Sequence, residues 1–256
     1  MFFDSHSHLD DPLLRSQLPA LLADAEAAGV TGFLVPGVHP RGWQDIALLP
    51  RTFSQVRTAF GIHPMHADLA TADTLSELRQ LSRQATAIGE IGLDYLLPSP
   101  SREVQKAAFR SQLAIALQAG LPVLIHCRRA FPDLLAILAE HDVARVGGVM
   151  HAFSGSPETA RDCLRLGLHI SLAGTVTYSN AVRPVAVAAC VPLDRLLIET
   201  DAPDLAPEPY RNGINLPAYL LATARRIAAI RGITVEELGS ATTSNAQRLF
   251  RLDHSD

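Results

Sequence analysis

Eight short apolar runs, each leading into an amphipathic stretch, recur along the 256 residues, and this alternation constrains the fold more than any single motif. The runs are "MFFDSH" (1–6), "VTGFLVPG" (30–37), "VRTAFGIH" (56–63), "ATAIGEIG" (85–92), "LPVLIHC" (121–127), "VGGVMHAF" (146–153), "LHISLAG" (168–174) and "RLLIETD" (195–201). Between them lie helical patterns such as "RSQLPALLADAEAAG" (15–29) and "SREVQKAAFRSQLAIALQAG" (101–120). In the second, Val104, Ala108, Leu113, Ile115, Ala116 and Leu117 form a broad apolar stripe, and Gly120 is placed to stop the helix. Gly29 and Gly167 end earlier and later helices in the same manner. Eight strands alternating with helices over about 250 residues fit a (β/α)8 TIM barrel. A doubly wound open sheet would carry a glycine-rich fingerprint after the first strand, and "SHSHLDDP" is unlike one. No low-complexity tract or flexible linker divides the chain, so residues 1–256 are expected to form a single domain. After Leu238 the sequence reads as a closing pair of short helices, "TTSNAQRLF" being the last.

Composition narrows the function classes. The net charge of −4 provides no broad basic surface for wrapping long nucleic acid. No run of about 18 apolar residues suggests a membrane span, and "FFDSHSH" carries no basic region followed by an apolar stretch. Cys127, Cys163 and Cys190 lack metal-binding spacing, so a reduced cytoplasm is the expected compartment. Nothing points to an obligate protein partner.

The polar residues at the C-terminal ends of the runs carry the chemistry. His6 and His8 are two apart, so in an extended chain both imidazoles leave on one side. Imidazoles on an interior face need partners for their nitrogens, from a polar network or a metal. The third run adds His63, the fourth Glu90, the fifth His126, the sixth His151, and the eighth Glu199 and Asp201. A barrel gathers such strand ends at one mouth, where barrel enzymes keep their active sites. Singly, each has an ordinary reading: a wall histidine, a loop-capping glutamate, a turn aspartate. The other five histidines (His39, His66, His141, His169 and His254) lack that placement and read as surface or loop residues.

Imidazoles with carboxylates and no thiolate suit Zn, Mn, Ni, Co or Mg rather than a structural zinc site. Six ligands exceed what one tetrahedral catalytic metal needs and suit two divalent cations about 3.5–4 Å apart sharing a carboxylate and a water. Glu90, between the two groups in sequence, is placed to bridge. A carbamylated lysine is excluded from that role, because Lys106 is the only lysine and falls in a helical stretch.

The ordered set "DSHSHLD", "GIHP", "GEIGLDY", "PVLIHCRRA", "HAFSG", "ISLAGTVTY", "IETDAP" and "NAQRLF" spans essentially the whole chain. It resembles the TatD family of metal-dependent hydrolases and deoxyribonucleases, within the amidohydrolase superfamily. The resemblance implies that His6, His8 and Asp201 hold one metal, that His126 and His151 hold the second, and that Glu90 bridges them. It implies that His63 faces the substrate, that Arg128 and Arg211 lie near the substrate phosphate, and that Glu199 supports the ligands. Three departures are visible: Ser7 stands where the family often has cysteine, "GIHPM" replaces "GIHPH", and "PYRNGIN" lacks a glycine after Arg211. They concern substrate preference rather than the ligands.

The expected chemistry is phosphodiester hydrolysis by hydroxide formed from a metal-bridged water, with Asp201 as proton acceptor, Glu90 as bridging ligand and His63 beside the leaving group. The expected substrates are DNA, and also RNA, taken as strand ends, with the 3′ end favoured by the resemblance. Two other readings use the same residues. One is hydrolysis of a small amide, lactone or aminoacyl ester; the other is a non-catalytic metal-binding barrel.

Overall fold

The computed structural model describes residues 1–252, so His254 lies outside the described residues. Its strands are β1 (Phe2–Asp4), β2 (Val30–Pro36), β3 (Val56–Phe60), β4 (Ala87–Asp94), β5 (Val123–Arg128), β6 (Gly148–Met150), β7 (Leu168–Leu172) and β8 (Leu196–Ile198). The helices are α1 (Pro12–Arg15), α2 (Leu18–Ala27), α3 (Trp43–Thr52), α4 (Ala72–Leu81), α5 (Arg102–Ala119), α6 (Phe131–Glu140), α7 (Pro157–Arg165), α8 (Arg183–Cys190), α9 (Leu220–Arg231) and α10 (Val235–Phe250). The strands follow one another in the sheet in the order β1 to β8. Beyond the end of β1, the Ser5 N–H donates to Ile198 O of β8, joining first strand to last. The architecture is a (β/α)8 barrel.

The chain forms two compact units. One contains residues 1–35, 151–161 and 170 onward; the other contains 36–150 and 162–169. In the second unit β4 is buried along all eight residues. That is the signature of a parallel strand covered on both faces, and it explains why this segment reads as a run rather than an alternation. Its glycines are steric requirements. A Cβ on Gly89 would lie 2.4 Å from Leu124 Cβ, and one on Gly61 would lie 2.6 Å from the Gly89 carbonyl carbon. Gly92, in register with His126, has a φ of 146°, and a Cβ there would stand 1.9 Å from His126 O. The backbones of β4 and β5 pack so closely that only hydrogen fits between them.

Helix α5 reaches from Ser101, whose hydroxyl accepts from Val104 N, to Gly120 in the left-handed conformation, as its sequence predicts. Its buried face also carries Gln105 and Gln112, seven residues apart and each 1% exposed. Gln112 accepts from Ile62 N at 2.7 Å and donates to Ile62 O at 3.1 Å. Gln105 does the same for Asp94, at 2.9 and 3.0 Å. Two amide side chains thus hold the backbone at the ends of β3 and β4.

In the first unit the expected closing pair of short helices is replaced by one helix, α10, which begins at a Thr234–Glu237 capping box. Gly239 in its first turns is a contact residue: a Cβ there would meet Phe2 Cε1 at 2.8 Å and Met1 O at 3.0 Å. The helix needs that small residue to lie against β1. His169, expected on the surface, sits within β7 with 8% exposure. A five-residue strand buried throughout gives no alternation from which that burial could be read.

Gly92→Ala combines a forbidden contact with a left-handed backbone and is expected to cost more than about 3 kcal/mol. Gly120→Ala meets nothing within 4 Å and carries only the conformational penalty of about 1–2 kcal/mol. Urea midpoints of the two variants against the parent check the ranking.

Candidate metal centre

The two histidines that open the chain lie just past β1, not inside it, and Ser7 between them donates its N–H to Leu34 O. The extended spacing still turns both rings one way. His6 Nε2 and His8 Nε2 are 3.3 Å apart, and they lie 3.6 and 3.4 Å from Asp201 Oδ1. Asp201 follows β8 with a left-handed φ of 59°, held by its N–H bond to His6 O. His151, after β6, stacks on His6 with ring centroids 3.9 Å apart and planes 11° apart. Its Nδ1 is 3.5 Å from Glu199 Oε1. Glu199 is fully buried and also accepts from Ala152 N and, at 3.4 Å, from Ser5 Oγ. The first unit therefore gathers His6, His8, His151, Glu199 and Asp201.

Burial would raise the Asp201 carboxyl, but the hydrogen bond from His8 and the charges of His151, His6 and His8 hold it below the usual carboxylate range. It is a carboxylate at neutral pH. Asp4 is the opposite case. It accepts from Thr200 Oγ1 at 2.5 Å, Thr200 N at 3.0 Å and His6 N at 3.2 Å, yet full burial pushes it up to about 7. Asp4 clasps the ends of β1 and β8 together directly behind the histidines. It was not singled out in the sequence, where "FFDSH" shows it only as one acid at a strand end.

The second unit gathers the rest. His63 lies beyond β3 and caps the 3-10 turn at residues 64–69, its Nδ1 accepting from Met65 N at 3.1 Å. Its Nε2 is 3.5 Å from Glu90 Oε1. Glu90, 2% exposed, lies in mid-strand on β4. His126 of β5 turns Nδ1 to the same Glu90 oxygen at 3.0 Å and Nε2 to Asp94 Oδ2 at 3.3 Å. Asp94 was also missed. The signal was its place four residues after Glu90 on one strand, hence on the same face. Burial would raise its carboxyl, but His126, the Leu96 N–H and Arg128 together keep it below the usual range. Asp94 fixes the imidazole so that Nδ1 faces Glu90. Orienting a ligand through its second nitrogen in this way is a recurrent feature of metal sites.

Arg128, at the exposed end of β5, is in register with Asp94. Arg211 lies over the ring of Tyr178, 4.1 Å from its centroid, with Glu208 3.6 Å away. Lys106 lies in α5 beside Glu103 and Asp133, as its helical setting predicts. His39 and His66 form an edge contact of 4.5 Å on the loops after β2 and β3, and His141 caps the end of α6.

The donor set fits divalent cations. Ligand atoms about 2.0–2.2 Å from a common ion stand roughly 3–3.5 Å from each other. The His6, His8 and Asp201 atoms, and the Glu90 and His126 atoms, have that spacing. His6, His151 and Glu199 form one group able to hold an ion, and His63, Glu90 and His126 another.

Each unit gathers imidazoles and carboxylates at its strand ends, the donor set of a metal-dependent hydrolase. The sequence matches the model of the family described as TatD related DNase over residues 3–251, and the chain belongs to that family. It is 38% identical, over 99% of its length and 100% of the relative's, to a Bacillus subtilis (strain 168) protein named uncharacterized metal-dependent hydrolase YabD. It is 34% identical to the 3′-5′ ssDNA/RNA exonuclease TatD of Enterobacter lignolyticus, over 97% of this chain and 98% of that one. The crystal structure of YjjV, a TatD homolog from Escherichia coli K12, superposes with a TM-score of 0.93 at 32% identity, over 98% of each chain.

Asp94→Ala removes the partner of His126 Nε2 without removing a ligand. It should weaken metal retention about 10–100-fold. Glu90→Gln, which removes a charge from the centre, should weaken it further. Competition against a chromophoric chelator, with metal counted by elemental analysis, gives the order.

Proposed function

We propose that this protein is a two-metal phosphodiesterase that removes nucleotides from the end of a single DNA or RNA strand. The six expected ligands, His6, His8, Glu90, His126, His151 and Asp201, would hold two divalent cations, the metal being Mg, Mn, Zn, Co or Ni. The observation that carries the reading is the pair of clusters, His6–His8–Asp201 and Glu90–His126, spaced as donors to a cation. The exonuclease names of TatD relatives supply the substrate class. When bound, the cations acidify a water and neutralise phosphate charge.

The side chains divide the remaining work. Asp201, ionised by its histidine neighbours, is placed to accept a proton while remaining a ligand. In neutral His63, Nδ1 accepts from Met65 N, so the ring proton resides on Nε2. That nitrogen, on the Glu90 side, is the one placed to donate a hydrogen bond to a departing oxygen. Arg128 brings a planar cation suited to two phosphate oxygens, and Arg211 a second.

Strand ends fit better than long duplex. Duplex affinity rests on neutralising many phosphates, and a chain with net charge −4 has few clustered cations. With two or three phosphates engaged, the logarithmic salt slope for a single strand should be about −1.5 to −2, at −0.7 per contact. An end-labelled oligonucleotide should be shortened from its 3′ end in the presence of divalent metal. A 3′-blocked strand and a covalently closed circle should survive. Rapid cutting of the circle would overturn the end preference; no turnover of any strand with any of the five metals would overturn the nuclease reading. His63→Ala should keep its metals and lose roughly 10²–10³-fold in turnover, the contribution of one hydrogen-bond donor at the leaving oxygen.

A further inference from the structure

Outside the metal clusters, the first unit carries two stacked pairs on the segments following β7 and β8. Tyr210 lies on Tyr219 with ring centroids 3.7 Å apart and planes 5° apart. Its neighbour Arg211 lies on Tyr178 with the guanidinium carbon 4.1 Å from the ring centroid. Consecutive residues thus each rest a flat group on a tyrosine supplied by another element. In each pair the outer member is the more exposed: Tyr210 is 43% exposed, and Tyr178 and Tyr219 are only half-buried beneath. Ile214, 49% exposed, stands on the same segment, and Val182, 77% exposed, follows Tyr178.

A large exposed aromatic is costly to leave in water, and a near-parallel ring beneath it covers only one face. The segment is held in place independently of the rings. Glu208 N donates to Thr177 Oγ1 at 2.8 Å, and Asn215 Nδ2 donates to Thr200 O and Asp204 O at 2.8 and 2.7 Å. The outer faces are therefore presented in fixed orientation on the segment that follows Asp201, nine and ten residues along the chain. Flat π-systems and guanidinium planes in fixed orientation are what single-stranded nucleic-acid sites offer to bases, at any sequence.

We propose that Tyr210 and Arg211 form a stacking ledge for nucleobases of the strand whose phosphates enter the metal centre. The inference rests on the nuclease reading and deepens it: the protein would hold the strand by its bases as well as by its phosphates. Because stacking does not discriminate among bases, the ledge would favour unpaired strands over duplex without selecting a sequence. Arg211 would then act through its plane as much as through its charge.

The test compares KM and kcat of the metal-loaded full chain on a labelled oligonucleotide and on the same strand carrying tetrahydrofuran abasic sites at its last three positions. The parent protein should show a KM about tenfold higher on the abasic strand, the order expected for one lost base stack, with kcat changed less. Tyr210→Ala should raise KM about tenfold on the normal strand and leave it unchanged on the abasic one. Tyr210→Phe should restore the parent's values. Arg211→Lys, which keeps charge and loses the plane, should narrow the difference between the strands. Unchanged thermal midpoints separate these effects from damage to the segment. Equal KM on both strands for the parent, or an equal rise on both for Tyr210→Ala, overturns the ledge and leaves the nuclease reading standing. Absence of turnover on both strands overturns the nuclease reading, and the ledge with it.

Discussion

Glu90 is a carboxylate in the middle of a strand buried from end to end, with 2% of its surface exposed. A lone ionised carboxylate in such a place would be prohibitively costly, so the surroundings must supply positive charge or protons. His63 and His126 both turn a nitrogen to the same Glu90 oxygen, at 3.5 and 3.0 Å. The rest of the second unit keeps them there. Glycines at 61, 89 and 92 let the backbones close up, Gln112 fixes the residue before His63, and Gln105 fixes Asp94 behind His126. A cation would complete the compensation more effectively than two neutral rings. The family's metal dependence is thus consistent with the physical problem that the strand sets.

The first unit meets the same problem with a different device. Its carboxylate, Asp201, sits in a left-handed turn instead of a strand and reaches two histidines from one short extended segment. Glu199 supports from behind through His151, while Asp4 ties the two strand ends. Burial raises both Asp4 and Asp201, and their partners set them apart: one accepts mainly neutral donors and rises to about 7, the other is surrounded by imidazoles and falls. Two buried acids that both touch His6 therefore differ in acidity through their partners.

Much of this was legible in the residue string because the chemistry coincides with periodicity. The strand–helix alternation predicted the barrel, and the two-residue spacing of His6 and His8 predicted convergent rings although neither lies in a strand. Asp94 and Asp4 were overlooked because a single aspartate near a strand end carries no mark of what faces it. The helix glutamines were hidden for a related reason: Gln105 and Gln112 break an apolar stripe, and only the backbone they clasp shows why. The closing pair of short helices expected after Leu238 is a single helix, whose Gly239 leaves the space that Phe2 needs. Contacts distant in sequence account for each of these cases.

The Asp4–Thr200 clasp has a consequence for how the protein is made. Its partners are 196 residues apart, and Phe2 awaits Gly239 in the last helix. Synthesis runs from the N-terminus, so His6 and His8 leave the ribosome 195 and 193 residues before Asp201. Contacts of such sequence separation make folding slow. The histidine pair must therefore wait for its carboxylate while the intervening residues are made, and the His6–His8–Asp201 cluster is complete only once Asp201 has emerged. On this topology a cation that needs both histidines and Asp201 would be held only after β8 has been made.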